Sequence, residues 1–140
     1  MILNELNNYQ IGDEIPSLNV KPITRSMLAS YAGASGDHNP IHIDIDFAKK
    51  SGLADVIAHG MLVMSFLAQA LTNIFPQDSI KKFDAKFIAI TNINDILTCK
   101  GKVVDIKSEG SLKKLFLELL VFDDSGEKKL SGSATIELIL

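Results

Sequence analysis

The chain has 140 residues, 46% apolar and 22% charged, which suits one domain over 1–140 with one buried core and excludes a disordered chain. A formal charge of −3, with no Lys/Arg cluster interleaved with aromatics, speaks against nucleic acid as a partner. The short pairs Lys81-Lys82 and Lys113-Lys114 read as solvated strand faces.

Residues 1–9 carry three Asn, one Glu and no basic residue, unlike a secretory leader. Gly12, Asp13 and Pro16 mark a loop, and an extended segment over 18–23 follows. Thr24 is placed to cap a helix over 25–34, with Met27, Leu28 and Tyr31 on one side and Gly33 and Gly36 at its end. After an Asp-His-Asn-Pro turn, Asp44 caps a second short helix over 45–50, which Gly52 stops. The spacing predicts a long helix over 60–75, closed by Pro76, with almost no polar face and therefore buried on all sides. Its most apolar run, 61–67, is broken by Ser65 and falls well short of the ~20 residues that cross a bilayer. A cytoplasmic protein without a membrane partner is the expectation.

Beyond Pro76 the apolar period changes to two. Phe83, Ala85, Phe87 and Ala89 form one row, and Leu97, Cys99, Gly101 and Val103 a second. Leu115, Leu117, Leu119 and Val121 form a third, and Leu130, Gly132, Ala134, Ile136 and Leu138 a fourth. Turn residues separate them at 92–95, 109–110 and 123–126. Such rows describe antiparallel strands with one buried face. Cys99 is the only cysteine, which excludes an internal disulfide and a cysteine metal cluster, and it reads as a buried filler. One apolar helix needs a cover and one sheet needs something to cover. The fold class is therefore α+β, a curved antiparallel sheet wrapped around a long buried helix, the hot-dog arrangement. Its exposed sheet edge favours a homodimer.

Chemistry concentrates in residues 35–42. Pro40 has no amide hydrogen and turns Asn39 away from helical dihedrals. The backbone must therefore bend between Asp37 and His42, so that both side chains can face one cavity. A carboxylate beside an imidazole orients it and moves protons, and Asn39 is a candidate to orient water or an acyl group. The plainer alternative is an ordinary turn whose Asx side chains bond their own backbone, with His42 a satisfied buried histidine. Gly60 opens the long helix, where free amides and a partial positive charge can stabilise an oxyanion. His59 either lines the site or caps that helix. Ser35, Met61 and Met64 are further candidate substrate contacts, although Met61, Met64 and Phe66 fit a plain core equally well, and Ser35 lacks a nucleophile motif. Asp37, His42 and His59 could also imitate a two-histidine, one-carboxylate metal site, but Pro40 spoils the helix that the His38/His42 spacing needs. No metal is expected.

The run Tyr31-Ala-Gly-Ala-Ser35-Gly36-Asp37-His38-Asn39-Pro40-Ile41-His42, five residues and then Ala48 resembles the hydratase-2 motif of the MaoC-like dehydratases. Ile57-Ala58-His59-Gly60-Met61 is similar to that family's second signature. The resemblance implies a hot-dog fold and (R)-specific hydration of trans-2-enoyl thioesters, or the reverse dehydration, with no cofactor. It makes Asp37 and His42 a catalytic dyad, Asn39 an assisting amide and the Gly60 N–H the oxyanion donor. His38 falls at a variable position. The implied partner is an acyl-CoA or an acyl carrier protein. Heterodimeric dehydratases occur in the family, which keeps an unlike hot-dog subunit open. Other roles on the same fold are a non-catalytic acyl-CoA-binding subunit and a thioesterase.

Overall fold

The computed structural model describes residues 3–140. A short helix α1 (Leu3–Leu6) and a two-residue strand β1 (Leu18–Asn19) precede helix α2 (Arg25–Ser35). Thr24 caps α2 through its side chain, which accepts the Met27 N–H, and Gly36 ends it in the left-handed region at φ 76°. Gly33 lies inside the helix rather than ending it, because Gly36 alone takes that positive φ. Asp44 caps α3 (Ile45–Lys50) by accepting the N–H groups of Asp46 and Phe47. The long helix α4 spans Gly60–Thr72 and stops three residues before the predicted end. The Ile74 and Phe75 amides both turn back to the Leu71 carbonyl, and the residue before Pro76 cannot stay helical without a clash.

Strands β2 (Ile80–Phe87), β3 (Leu97–Glu109), β4 (Leu112–Asp123) and β5 (Lys128–Ile139) join β1 in one antiparallel sheet of order β1-β3-β4-β5-β2. The extended segment expected over 18–23 is a strand only at its start, but Val20 and Ile23 still donate to the Leu97 and Asp95 carbonyls. Cys99 pairs with Val121, Leu119 with Gly132 and Phe83 with Ala134, so the four apolar rows do share one face. A Cβ at Gly132 would run into the Asp84 carbonyl, so glycine there lets β2 lie close against β5.

The sheet curves around α4, which touches β1, β2, β3 and β4. Leu62, Val63, Leu67, Ala70 and Leu71 face it and are buried, and full burial of one such side chain contributes about 1.5–3 kcal/mol. The expectation of a helix buried on all sides fails. Met61, Ser65, Gln69 and Thr72 form an exposed stripe, because the sheet covers one side only and these positions recur every three or four residues on the other. Likewise the row on β2 is only half covered. Phe83 and Ala85 are partly buried and Phe87 is 50% exposed, as befits an edge strand.

Cys99 is fully buried, and that burial pushes its thiol up to about 12. A thiol reagent such as DTNB at pH 8 should therefore leave the native chain unmodified and titrate one thiol only after denaturation. Rapid labelling of the native protein would contradict this packing.

Candidate active site

The bend after α2 is a chain of short backbone-to-side-chain hydrogen bonds. The Asp37 N–H donates to Ser35 Oγ at 3.1 Å, the Asn39 N–H to Asp37 Oδ1 at 3.2 Å, and the Ile41 N–H to Asn39 Oδ1 at 3.1 Å. Pro40 opens a single 3-10 turn, Pro40–His42, at the one position where a missing N–H costs nothing. The turn chemistry and the candidate catalytic chemistry thus coexist in the same residues. Ser35 acts on the Asp37 backbone, and the Asn39 side-chain oxygen is spent on the turn.

His42 is held from behind. Its Nδ1 lies 2.7 Å from the Ile57 carbonyl, and the Ile57 N–H donates to the Ile41 carbonyl at 3.2 Å. A carbonyl only accepts, so Nδ1 carries the hydrogen and Nε2 of the neutral ring presents a lone pair. Asp37 Oδ2 stands 4.0 Å from that Nε2, beyond hydrogen-bond reach, with the imidazole 11% exposed and the carboxylate 52% exposed.

His59 backs this pair. Its ring stacks on His42 with centroids 3.9 Å apart and meets the edge of Tyr31 at 4.7 Å. Its Nε2 donates to the Asp37 carbonyl at 3.1 Å. The side chain therefore does not cap α4, as one reading of the sequence had it: the ring is turned inward and bonded elsewhere. His59 Nδ1 is buried with no hydrogen-bond partner. Burial, reinforced by the neighbouring His42 and opposed by the Asp37 contacts, holds the imidazole below the ordinary histidine range.

Gly60 is the first residue of α4, so its N–H has no acceptor within the helix. The Phe87 ring lies over it, and a Cβ there would stand 2.9 Å from Phe87 Cε1. A cavity of about 370 Å³ opens here, bounded by His42, Gly60, Val63, Phe87, Ile90 and Leu130 among others. Ser35, Asp37, Asn39, His59, Met61 and Met64 are not part of that lining. Met61 is 55% exposed and Met64 partly buried in the core, while Phe66 borders a separate groove between α2 and α4. Asp37, His42 and His59 bring their ligand-type atoms within 4.8 Å of one another and are the set a cation would use, although each imidazole already commits one nitrogen to a carbonyl.

The second half of the wall was not foreseen from the sequence. Residues 88–91 line the cavity, and Thr91 accepts the Ala58 N–H at 2.9 Å while Asn92 bridges to Ile57. The only sequence signal was the apolar Ile88 and Ile90, which alternation does not distinguish from a strand end.

Residues 7–118 match the family model described as MaoC like domain, and the chain belongs to that family. It is 30% identical to the (R)-specific enoyl-CoA hydratase of Rhodospirillum rubrum over 118 residues, covering 83% of this chain and 80% of that one. In structure it is similar to an (R)-hydratase from A. caviae involved in PHA biosynthesis, with TM-score 0.82 and 22% identity over 94% of this chain and 98% of the other. It is also similar to a chain of the ChsH1-ChsH2 complex from Mycobacterium tuberculosis, with TM-score 0.74 and 20% identity over the same shares, 94% and 98%. These two likenesses establish the hot-dog fold.

The depressed His59 gives a signed pH dependence. Its folded value lies below its unfolded value of about 6.5, so on acidification the unfolded chain takes up the proton first. Stability is full above that pH and declines as the pH falls below it. Denaturant midpoints measured from pH 7.5 to 5.5 should fall more steeply for the wild type than for His59→Gln; parallel curves would contradict the assignment.

Proposed function

We propose that this chain is a hydro-lyase that adds water to trans-2-enoyl thioesters to give (3R)-3-hydroxyacyl thioesters, and that it runs the reverse dehydration. The thioester is carried by coenzyme A or acyl carrier protein, and no cofactor takes part. The observation that carries this reading is the approach of Asp37 Oδ2 to His42 Nε2, 4.0 Å apart, with His42 and Gly60 lining one cavity. Family membership and the R. rubrum relative support the same chemistry.

The Asp37–His42 gap is too long for a direct bond, and a water accepted between them would be held by both. In hydration that water attacks C3 and gives up a proton to the pair. The thioester oxygen gains negative charge against the Gly60 N–H at the start of α4, where the helix dipole adds to the stabilisation. The pair then delivers one proton to C2, so the enzyme ends as it began. Asn39 and Ser35 serve this scheme by fixing the turn that aims Asp37, and His59 by fixing the plane of the His42 ring. Met61 and Met64 are proposed as contacts for the substrate beyond the reacting carbons.

A second copy of the chain is the proposed partner, with a related hot-dog subunit as the other possibility. β2 is a sheet edge, and Phe87, Ile88 and Ile90, each about half exposed, leave an apolar strip beside the cavity. Light scattering on the purified chain should give twice 15.3 kDa; a monomer at micromolar concentration would count against self-pairing and favour an unlike subunit.

Asp37→Asn and His42→Ala should each lower kcat for crotonyl-CoA hydration by about 10²-fold or more, with unchanged far-UV circular dichroism. Near wild-type turnover in either variant would remove the dyad. Release of free CoA thiol in place of hydration would point to the thioesterase reading.

A further inference from the structure

Lys129 is 1% exposed and sits where the β4–β5 register shifts, between Leu130 opposite Val121 and Lys128 opposite Phe122, so the alternation that puts Ser131 and Ser133 outward is broken there. Its ammonium donates to Glu127 Oε1 at 2.6 Å and to the Ile90 carbonyl at 2.7 Å, and lies 3.3 Å from Asp95 Oδ2 and 3.4 Å from Asp123 Oδ2. Burial works against the charge, but Glu127 and Asp95 outweigh it and hold the ammonium above the ordinary lysine range. The residue also grips through its backbone, since its carbonyl accepts from Ile88 at 2.9 Å and from Ala89 at 3.3 Å.

Each of these contacts reaches one of two segments. Asp123 and Glu127 belong to the β4–β5 hairpin turn, where Asp123 Oδ1 accepts from the Ser125 and Glu127 amides. Ile88, Ala89, Ile90 and Asp95 belong to the loop that walls the cavity. Asp95 Oδ2 also accepts the Asn92 N–H at 2.8 Å, which closes the loop on itself. From there the path to the chemistry is short. Thr91 takes the Ala58 N–H two residues before Gly60, and Asn92 bridges to Ile57, whose carbonyl holds His42 Nδ1.

We propose that Lys129 is a positioning residue for the hydration: its buried ammonium clamps the 88–95 loop to the β4–β5 hairpin and so sets where His42 and the Gly60 N–H stand. The claim rests on the hydro-lyase reading above. The ammonium, Asp95 and Asp123 are all largely buried, and leaving any of them unpaired is costly, whereas Glu127 joins them from the solvent side. The ammonium therefore fixes the loop more sharply than an apolar side chain would. A displacement of about 1 Å at a reacting group can cost ~10²-fold in rate.

The test compares Lys129→Met and Asp95→Asn with Lys113→Met. Lys113 makes a half-buried clamp on the Asn7 and Tyr9 carbonyls, apart from the cavity wall, and serves as a stability control. In Lys129→Met and Asp95→Asn, kcat for crotonyl-CoA should fall about tenfold or more with KM nearly unchanged, since the groups displaced act on the transition state. Hydrogen exchange at the Ala58 amide should quicken in the same two variants. Lys113→Met should lower Tm but keep both kcat and Ala58 protection. A smaller fall in kcat, a loss confined to KM, unchanged exchange at Ala58, or an equal loss in Lys113→Met would each overturn the proposal. Should Lys129→Met not fold, Asp95→Asn decides alone. A wild-type chain inactive on crotonyl-CoA would count against the hydro-lyase reading, and the Ala58 exchange would still decide whether Lys129 holds the loop.

Discussion

The hydrogen bond from His42 Nδ1 to the Ile57 carbonyl, 2.7 Å long, is the constraint on which the site depends. It ties the irregular segment after α2 to the segment before α4, alongside the His42–His59 stack and the bond from His59 to the Asp37 carbonyl. It also selects one tautomer, so that the free lone pair of the imidazole points toward Asp37. Without that bond the ring could rotate or carry its hydrogen on the wrong nitrogen, and the carboxylate beside it would orient nothing useful.

Around this bond the protein separates two kinds of order. The sheet and the buried face of α4 supply apolar burial, which is strong but non-directional. The precision comes from polar groups placed where they have one satisfactory arrangement: the nested turn of Ser35, Asp37 and Asn39, the buried His59, and the Lys129 cluster on the far wall. The buried His59 and Lys129 carry a desolvation cost, which the apolar core offsets, while the turn residues stay exposed. His59 illustrates the balance: burial holds its imidazole below the ordinary histidine range, and the ring stacks on His42.

Much of this was legible in the sequence, for local reasons. The caps Thr24 and Asp44, the left-handed Gly36 and the period-two rows are short-range signals, and short-range physics decided them. The bend at Pro40 and the start of α4 at Gly60 were legible for the same reason, and the family motifs fall on them. What alternation could not reveal was which faces find a cover. Met61 and Phe87 belong to apolar patterns but lie on the open side of a helix and on an edge strand. Lys129 is the opposite case, a charged residue that a break in the β4–β5 register and a distant loop together bury. The inward turn of His59 depends on Tyr31, the Asp37 carbonyl and His42, which lie together in the 31–42 run but reach His59 only once the chain has folded back over α3.

The central claim is that the Asp37–His42 pair moves water on and off an enoyl thioester at one face of the cavity. It is tested most directly by incubating the purified chain with crotonyl-CoA in deuterium oxide and determining the product's configuration and isotope content. The account predicts (3R)-3-hydroxybutyryl-CoA carrying deuterium at C2. A (3S) product, or unchanged crotonyl-CoA that binds without reacting, would contradict it.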